Sequence, residues 1–189
     1  IDHKDLVEQI LRYRPYFGEK GGVTLSGGEP LLQWEFAASL FKELKKEGIH
    51  TALDTCGHGS KQAIETLLPL TDLVLCDIKF PTEEQYNTHT RGSLLQVKKF
   101  LEQTTKHNVA CWIRHVVVPT LTDGQENIEN IITIAKQYPN VTKIELLPFR
   151  KLCQEKYDRL GIPFPLAHLP ACSKETMETL TQLLPPCYR

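Results

Sequence analysis

Between Gly22 and Phe149 the chain alternates short apolar runs with stretches whose apolar residues recur at helical spacing, and this alternation restricts the fold more than any other feature. "GGVTLSGG", "HTALDTCG", "DLVLCDIKF", "ACWIRHVVVP" and "KIELLPF" read as strands bounded by glycine or proline. Phe36, Ala37, Leu40, Phe41 and Leu44 form a helical face between the first two. Ile64, Leu67 and Leu68 mark a short helix ended by Pro69; Leu94, Val97 and Leu101 mark another; Ile128, Ile131, Ile132 and Ala135 mark the next. A leading helix carries Leu6, Val7, Ile10 and Leu11. Asp2 is placed to cap it, with Asp5 in a capping-box-like position, and its expected end is near Phe17. Met177, Leu180 and Leu184 fit a terminal helix. The segments 81–93 and 151–172, the latter with Pro163, Pro165 and Pro170, read as irregular. Strands that alternate with helices imply an α/β fold around a parallel sheet of about five strands. Nearly continuous apolar strands imply that both sheet faces are covered. An open doubly wound sheet and a partial barrel both satisfy this pattern, within a single domain over residues 1–189.

The balance of charge excludes several classes of partner. Lys plus Arg number 22 and Asp plus Glu 23, for a net charge of -1. No basic excess favours nucleic acid or an anionic membrane surface, and no apolar run approaches the length of a membrane span. The six cysteines are scattered without a C-x-x-C pair and read as reduced, cytosolic thiols. They lack zinc or iron–sulfur spacing. His3, His50, His58, His89, His107 and His168 show no metal-ligand spacing either. There is no P-loop, and "GGVTLSGG" does not match a dinucleotide fingerprint.

Parallel α/β folds bind ligands at the carboxyl ends of their strands, so the residues at those ends carry the functional signal. The first strand ends in Ser26, Gly27, Gly28 and Glu29, the second in Asp54 and Thr55, the third in Asp77 and Lys79. Arg114 lies within the fourth, and the fifth runs into Phe149 and Arg150. Each has an unremarkable reading. "SGGEP" is also a turn, because glycine tolerates positive φ and proline stops a strand. Asp54 is also a helix cap. Asp77 and Lys79, two apart in a strand, share a face and also suit a structural ion pair. Arg114 in an apolar strand requires either a carboxylate partner or an anionic ligand. Cys56, in the turn after Asp54, has no base beside it in sequence and reads as a turn residue. The recurrence of polar groups at every strand end favours a small-molecule pocket. Glu29, Asp54 and Asp77 suit amine, ribose and cation groups, and Lys79 and Arg114 suit a carboxylate. An amino-acid nucleoside satisfies that mixture.

The segments "GGVTLSGGEPLLQ", "EGIHTALDTCG", "TDLVLCDIK", "WIRHVVVP" and "KIELLPF", in this order, give the chain a further meaning. It resembles the pyruvate formate-lyase-activating enzymes, glycyl-radical-enzyme activases of the radical S-adenosylmethionine superfamily. "SGGEP" points to the superfamily; "WIRHVVVP" with "KIELLPF" points to the activases. The resemblance implies a partial (βα)6 TIM-like barrel. It implies a [4Fe-4S] cluster that reductively cleaves S-adenosylmethionine, with the 5′-deoxyadenosyl radical taking a hydrogen from a glycine of pyruvate formate-lyase. A flavodoxin or ferredoxin would supply the electron. Ser26, Gly27, Gly28 and Glu29 match the motif that holds the methionyl amino group. Asp54 matches a residue near the ribose and, with Thr55 and Asp77, a candidate monovalent-cation site. Lys79 matches the contact to the methionyl carboxylate, and Arg114 a further pocket arginine. Many relatives carry "LPYH" where this chain has "LPFR", so Arg150 stands in place of a histidine that contacts the cofactor. The family's C-x-x-x-C-x-x-C motif is absent. In the family it follows the first strand, so that strand and the cluster loop are expected upstream of Ile1, and the chain by itself is expected to be inactive. The alternatives are an activase of another glycyl radical enzyme and a cluster-less S-adenosylmethionine-binding pseudo-enzyme. Segments 81–93 and 151–172 are candidate lids.

Overall fold

A computed structural model describes residues 1–19 and 21–189. Helix α1 (His3–Leu11) is capped by the Asp2 carboxylate, which accepts from the Lys4 N–H at 2.8 Å. It stops well short of Phe17, because Pro15 cannot donate to a continuing α-helix; residues 14–16 form a 3-10 turn instead. There follow β1 (Gly22–Leu25), α2 (Trp34–Lys46), β2 (His50–Thr55), α3 (Lys61–Leu67), β3 (Leu73–Asp77), α4 (Glu83–Thr90), α5 (Leu94–Lys106), β4 (Ala110–Val117), α6 (Gln125–Ala135), β5 (Val141–Pro148), α7 (Gln154–Leu160) and α8 (Lys174–Gln182). Ser60, Thr82, Ser93 and Ser173 cap α3, α4, α5 and α8 through their hydroxyls.

The five strands are parallel and lie in the order β1-β2-β3-β4-β5. Parallel crossovers are right-handed, so an order that never reverses sends every crossover helix to the same side of the sheet. A doubly wound sheet requires a reversal at a switch point, and this one has none. The result is an α/β partial barrel whose sheet does not close.

Burial along β4 alternates accordingly. Cys111, Ile113, His115 and Val117 are buried against the helices, while Trp112, Arg114 and Val116 on the inner face are only half-buried. Coverage of both faces, expected from the apolar runs, is therefore not what the fold shows. The inner-face residues Leu73, Leu75, Trp112 and Val116 are apolar because they line the concave side of a curved sheet, not because helices cover them. The main core joins Leu53, Val74, Cys76 and Ile113 from the outer face to Leu40, Phe41, Leu67, Phe100, Leu101, Ile128 and Ile131 from the helices.

Two segments read as irregular contain helices. Helix α4 buries only Tyr86, so it has no apolar stripe to betray it; its Thr82 cap and the left-handed Arg91 after it define its ends. Helix α7 buries nothing and ends at the left-handed Gly161. The stretch around it is tied to the sheet, since Leu169 packs with Val118 and Phe149, and the Cys172 N–H donates to the Phe149 carbonyl at 3.0 Å. No helix among the described residues is long and apolar enough to cross a membrane.

Candidate functional site

The carboxyl ends of β1 to β4 bring together most of the residues singled out from the sequence, in two separate arrangements. The first is centred on Arg114. The register sets Asp77 opposite Arg114 across β3 and β4. The Arg114 Nε donates to Asp77 Oδ1 at 2.9 Å, and Nη2 lies 2.8 Å from the same oxygen. Nη2 also pairs with Asp54 Oδ1. Ser26 Oγ donates to the other Asp54 oxygen at 3.0 Å. Lys79 Nζ reaches Asp77 Oδ2 at 2.5 Å. Strand β3 ends at Asp77, so Lys79 stands on the exit turn rather than in the strand, yet its long stem still returns to Asp77. Although burial works against its charge, Asp77 and Asp54 hold the Arg114 guanidinium protonated beyond its ordinary range. Two acids and two bases thus neutralise one another.

The second arrangement is centred on Glu29, which follows Gly27 and Gly28. Its Oε1 accepts from the Leu31 N–H at 3.1 Å and from the Thr55 hydroxyl at 2.6 Å. Its Oε2 accepts from the Cys56 N–H at 2.9 Å and the Cys56 thiol at 3.1 Å. The Thr55 hydroxyl itself accepts from the Gly57 N–H at 2.9 Å, which directs its proton to Glu29. Every one of these donors is neutral. Among the described residues no cation forms an ion pair with Glu29. Gly27 and Gly28 have φ of 106° and 20°, and a Cβ at either would project into open space. Backbone can therefore approach a ligand there without a side chain intervening.

In two further cases the structure does not bring the expected residues together. Thr55 and Asp54 are adjacent in a strand and face opposite ways. The Thr55 hydroxyl serves Glu29, while the Asp54 and Asp77 carboxylates close on a guanidinium. The candidate cation trio is therefore not assembled. Arg150 is exposed and makes no ion pair or hydrogen bond among the described residues; it is not brought into either arrangement.

Several contacts lay beyond sequence reasoning. The Tyr86 hydroxyl accepts from the Lys79 N–H at 2.9 Å and fixes the β3 exit turn. Buried His115 bonds the Ile78 carbonyl through Nδ1 at 2.7 Å and receives the Asn127 amide at Nε2 at 2.8 Å. Burial lowers its pKa and keeps it neutral. Burial, with Glu29 beside it, raises the Cys56 thiol to about 11, so it is no thiolate nucleophile. On the inner face below Arg114, Lys143 lies 4.4 Å above the Trp112 ring and 3.2 Å from Glu145. Lys79, Tyr86, Cys56 and His58 border a recess of about 360 Å³. A larger groove of about 680 Å³, between α3 and α5, lies away from the strand-end carboxylates. The ionisable groups, not the volume, mark the site.

No three His, Cys, Asp or Glu side chains converge to hold a metal among the described residues. All six cysteines are free and dispersed, so the residues present do not fit an iron–sulfur cluster. They do fit an amino-acid nucleoside, because Glu29, paired with no cation among the described residues, stands beside an open glycine cradle.

The profile of the Radical SAM superfamily matches residues 1–132. The pyruvate formate-lyase-activating enzyme of Clostridium pasteurianum is 43% identical over 96% of this chain and 76% of its own length. The chain belongs to the pyruvate formate-lyase-activating enzyme family of the radical SAM superfamily. The pyruvate formate-lyase 1-activating enzyme of Escherichia coli K12 is 37% identical over 96% of this chain and 75% of its own. A crystallised domain of a pyruvate-formate lyase-activating enzyme from Bacteroides vulgatus shares the fold, with a TM-score of 0.69 over 86% of this chain and 92% of that one, at 23% identity.

Proposed function

We propose that this chain is the cofactor-binding core of an enzyme that activates pyruvate formate-lyase. When bound, S-adenosylmethionine and an iron–sulfur cluster would supply a 5′-deoxyadenosyl radical able to take a hydrogen atom from a glycine of the partner. The observation that carries this reading is the Glu29 carboxylate, half-buried, held by four neutral donors and matched by no cation among the described residues. A carboxylate preorganised in this way favours a ligand ammonium, since charge-assisted hydrogen bonds are the strong ones. Gly27 and Gly28 let the amino-acid end approach the backbone. Ser26 and Asp54 present hydroxyl and carboxylate oxygens to a ribose. Lys79, held by Asp77 and by Tyr86 at its backbone, is the residue to receive the ligand carboxylate. Arg114 orients Asp54 and Asp77. The cluster ligands are not among the described residues, so no step is assigned to them. Pyruvate formate-lyase is the partner, and a flavodoxin or ferredoxin the donor, by analogy with the family.

The test uses the full-length protein, reconstituted anaerobically with iron and sulfide. Bound iron, bound sulfide and 5′-deoxyadenosine formed from S-adenosylmethionine are the quantities to measure, with pyruvate formate-lyase as the hydrogen-atom donor. Cofactor cleavage and a glycyl radical on the partner are expected. A protein that takes up no iron and cleaves no cofactor sinks the activase reading.

A further inference from the structure

Glu29 already has a full complement of hydrogen bonds, and this raises a question about how it receives a ligand. A carboxylate offers about four lone-pair sites. Leu31 N–H and the Thr55 hydroxyl take those of Oε1, and the Cys56 N–H and thiol take those of Oε2. An incoming ammonium therefore has to displace a donor. The two backbone N–H groups are fixed by the chain. Thr55 is buried at 3% exposure, and its hydroxyl is locked between the Gly57 N–H and Glu29. The Cys56 thiol alone is a weak donor, on a half-exposed side chain that borders the recess beside Lys79 and Tyr86.

We propose that the Cys56 thiol is a placeholder on Glu29, a positioning residue that occupies the ammonium site in the free protein and yields it when the amino-acid end of the ligand arrives. This rests on the reading of Glu29 as the ammonium acceptor. A sulfur donor suits the task because it satisfies a half-buried oxygen without competing strongly for it. A hydroxyl at the same place would compete. A methyl group would leave the oxygen only the Cys56 N–H in the free protein, with its second lone pair open.

The order of affinities tests this. S-adenosylmethionine is titrated calorimetrically into the full-length, cluster-reconstituted protein and into Cys56→Ser and Cys56→Ala. Cys56→Ser is expected to bind about fivefold more weakly, the ratio corresponding to ~1 kcal/mol for one net hydrogen bond. Cys56→Ala is expected to bind as tightly as the parent or more tightly. A deaminated analogue of the cofactor, which brings no ammonium, is expected to bind all three equally. A merely structural thiol would make Cys56→Ala the weaker variant and would affect both ligands alike, which would overturn the proposal. The infrared S–H stretch gives a readout independent of affinity. The band lost in Cys56→Ala is expected to shift to higher frequency when S-adenosylmethionine binds the parent, as the thiol leaves its carboxylate. A band that stays put also overturns the proposal. Glu29→Ala separates the two readings. If it binds the cofactor as well as the parent does, the ammonium role of Glu29 fails; if it binds poorly while the Cys56 order is reversed, only the placeholder fails.

Discussion

A pair of aspartates and a lone glutamate stand at the same end of the sheet, and the fold treats them in opposite ways. Asp54 and Asp77 are matched by Arg114 and Lys79, so that corner is electrically closed. Among the described residues Glu29 is matched only by neutral donors, so its corner is electrically open. A closed network holds strand ends in place whether or not a ligand is present. An open one is stable enough to fold and still attracts a cation. The difference separates the residues that shape the pocket from the residue that awaits its charge, and substitutions should divide along the same line.

The largest effect is expected on the closed side. Arg114→Met leaves Asp54 without its cation and Asp77 with Lys79 alone. It should cost about 2–3 kcal/mol of unfolding free energy by urea titration, below the figure for a fully buried pair because the three side chains keep 17–19% exposure. Adding Asp54→Asn and Asp77→Asn should restore part of that loss; if it restores none, the network is not what holds these strand ends. On the open side the effect moves from stability to binding. Glu29→Gln keeps the shape but loses the charge, and S-adenosylmethionine affinity should fall about tenfold or more while the urea midpoint shifts little. Equal affinity in parent and variant would erase the distinction between the corners. Lys79 lies between the two regimes, 39% exposed. Lys79→Ala should leave stability within about 0.5 kcal/mol and weaken cofactor binding about fivefold; unchanged affinity contradicts its carboxylate role.

The smallest effect concerns pH. His115 is buried neutral between the Ile78 carbonyl and Asn127, with Asp77 and Lys79 nearby. Its native pKa is depressed, so as pH falls below about 6.5 the unfolded chain takes up a proton that the native one refuses. Stability should therefore drop from pH 7 to pH 5.5, by about 1 kcal/mol beyond any drop in His115→Gln. Parallel pH profiles for the two proteins would show that the native fold does not hold His115 neutral.

Much of this was legible in residue types and little in contacts. The five strands announced themselves as apolar runs cut by glycine and proline. The need of Arg114 for a partner followed from a guanidinium in an apolar strand, and its partners proved to be the two aspartates already suspected of function. Face coverage was misjudged, because apolar residues line a concave inner face as readily as a covered one. Helix α4 was invisible because "EEQYNTHT" has no apolar stripe; caps at its two ends define it. The Glu29–Cys56 contact joins two loops distant in sequence, and no spacing rule reaches across them. Arg150 follows the end of a strand like the others but is exposed to solvent, a difference that no residue pattern signals.

The unreversed strand order has a kinetic consequence as well. Leu25 pairs with Leu53, Leu53 with Val74, Val74 with Cys111, and Ile113 with Ile144. Each strand thus meets its neighbour after a single crossover, and no pairing has to wait for remote parts of the chain to find one another. Loop-closure entropy grows only with the logarithm of loop length, so the sheet can be extended one strand and one helix at a time from whichever pair forms first.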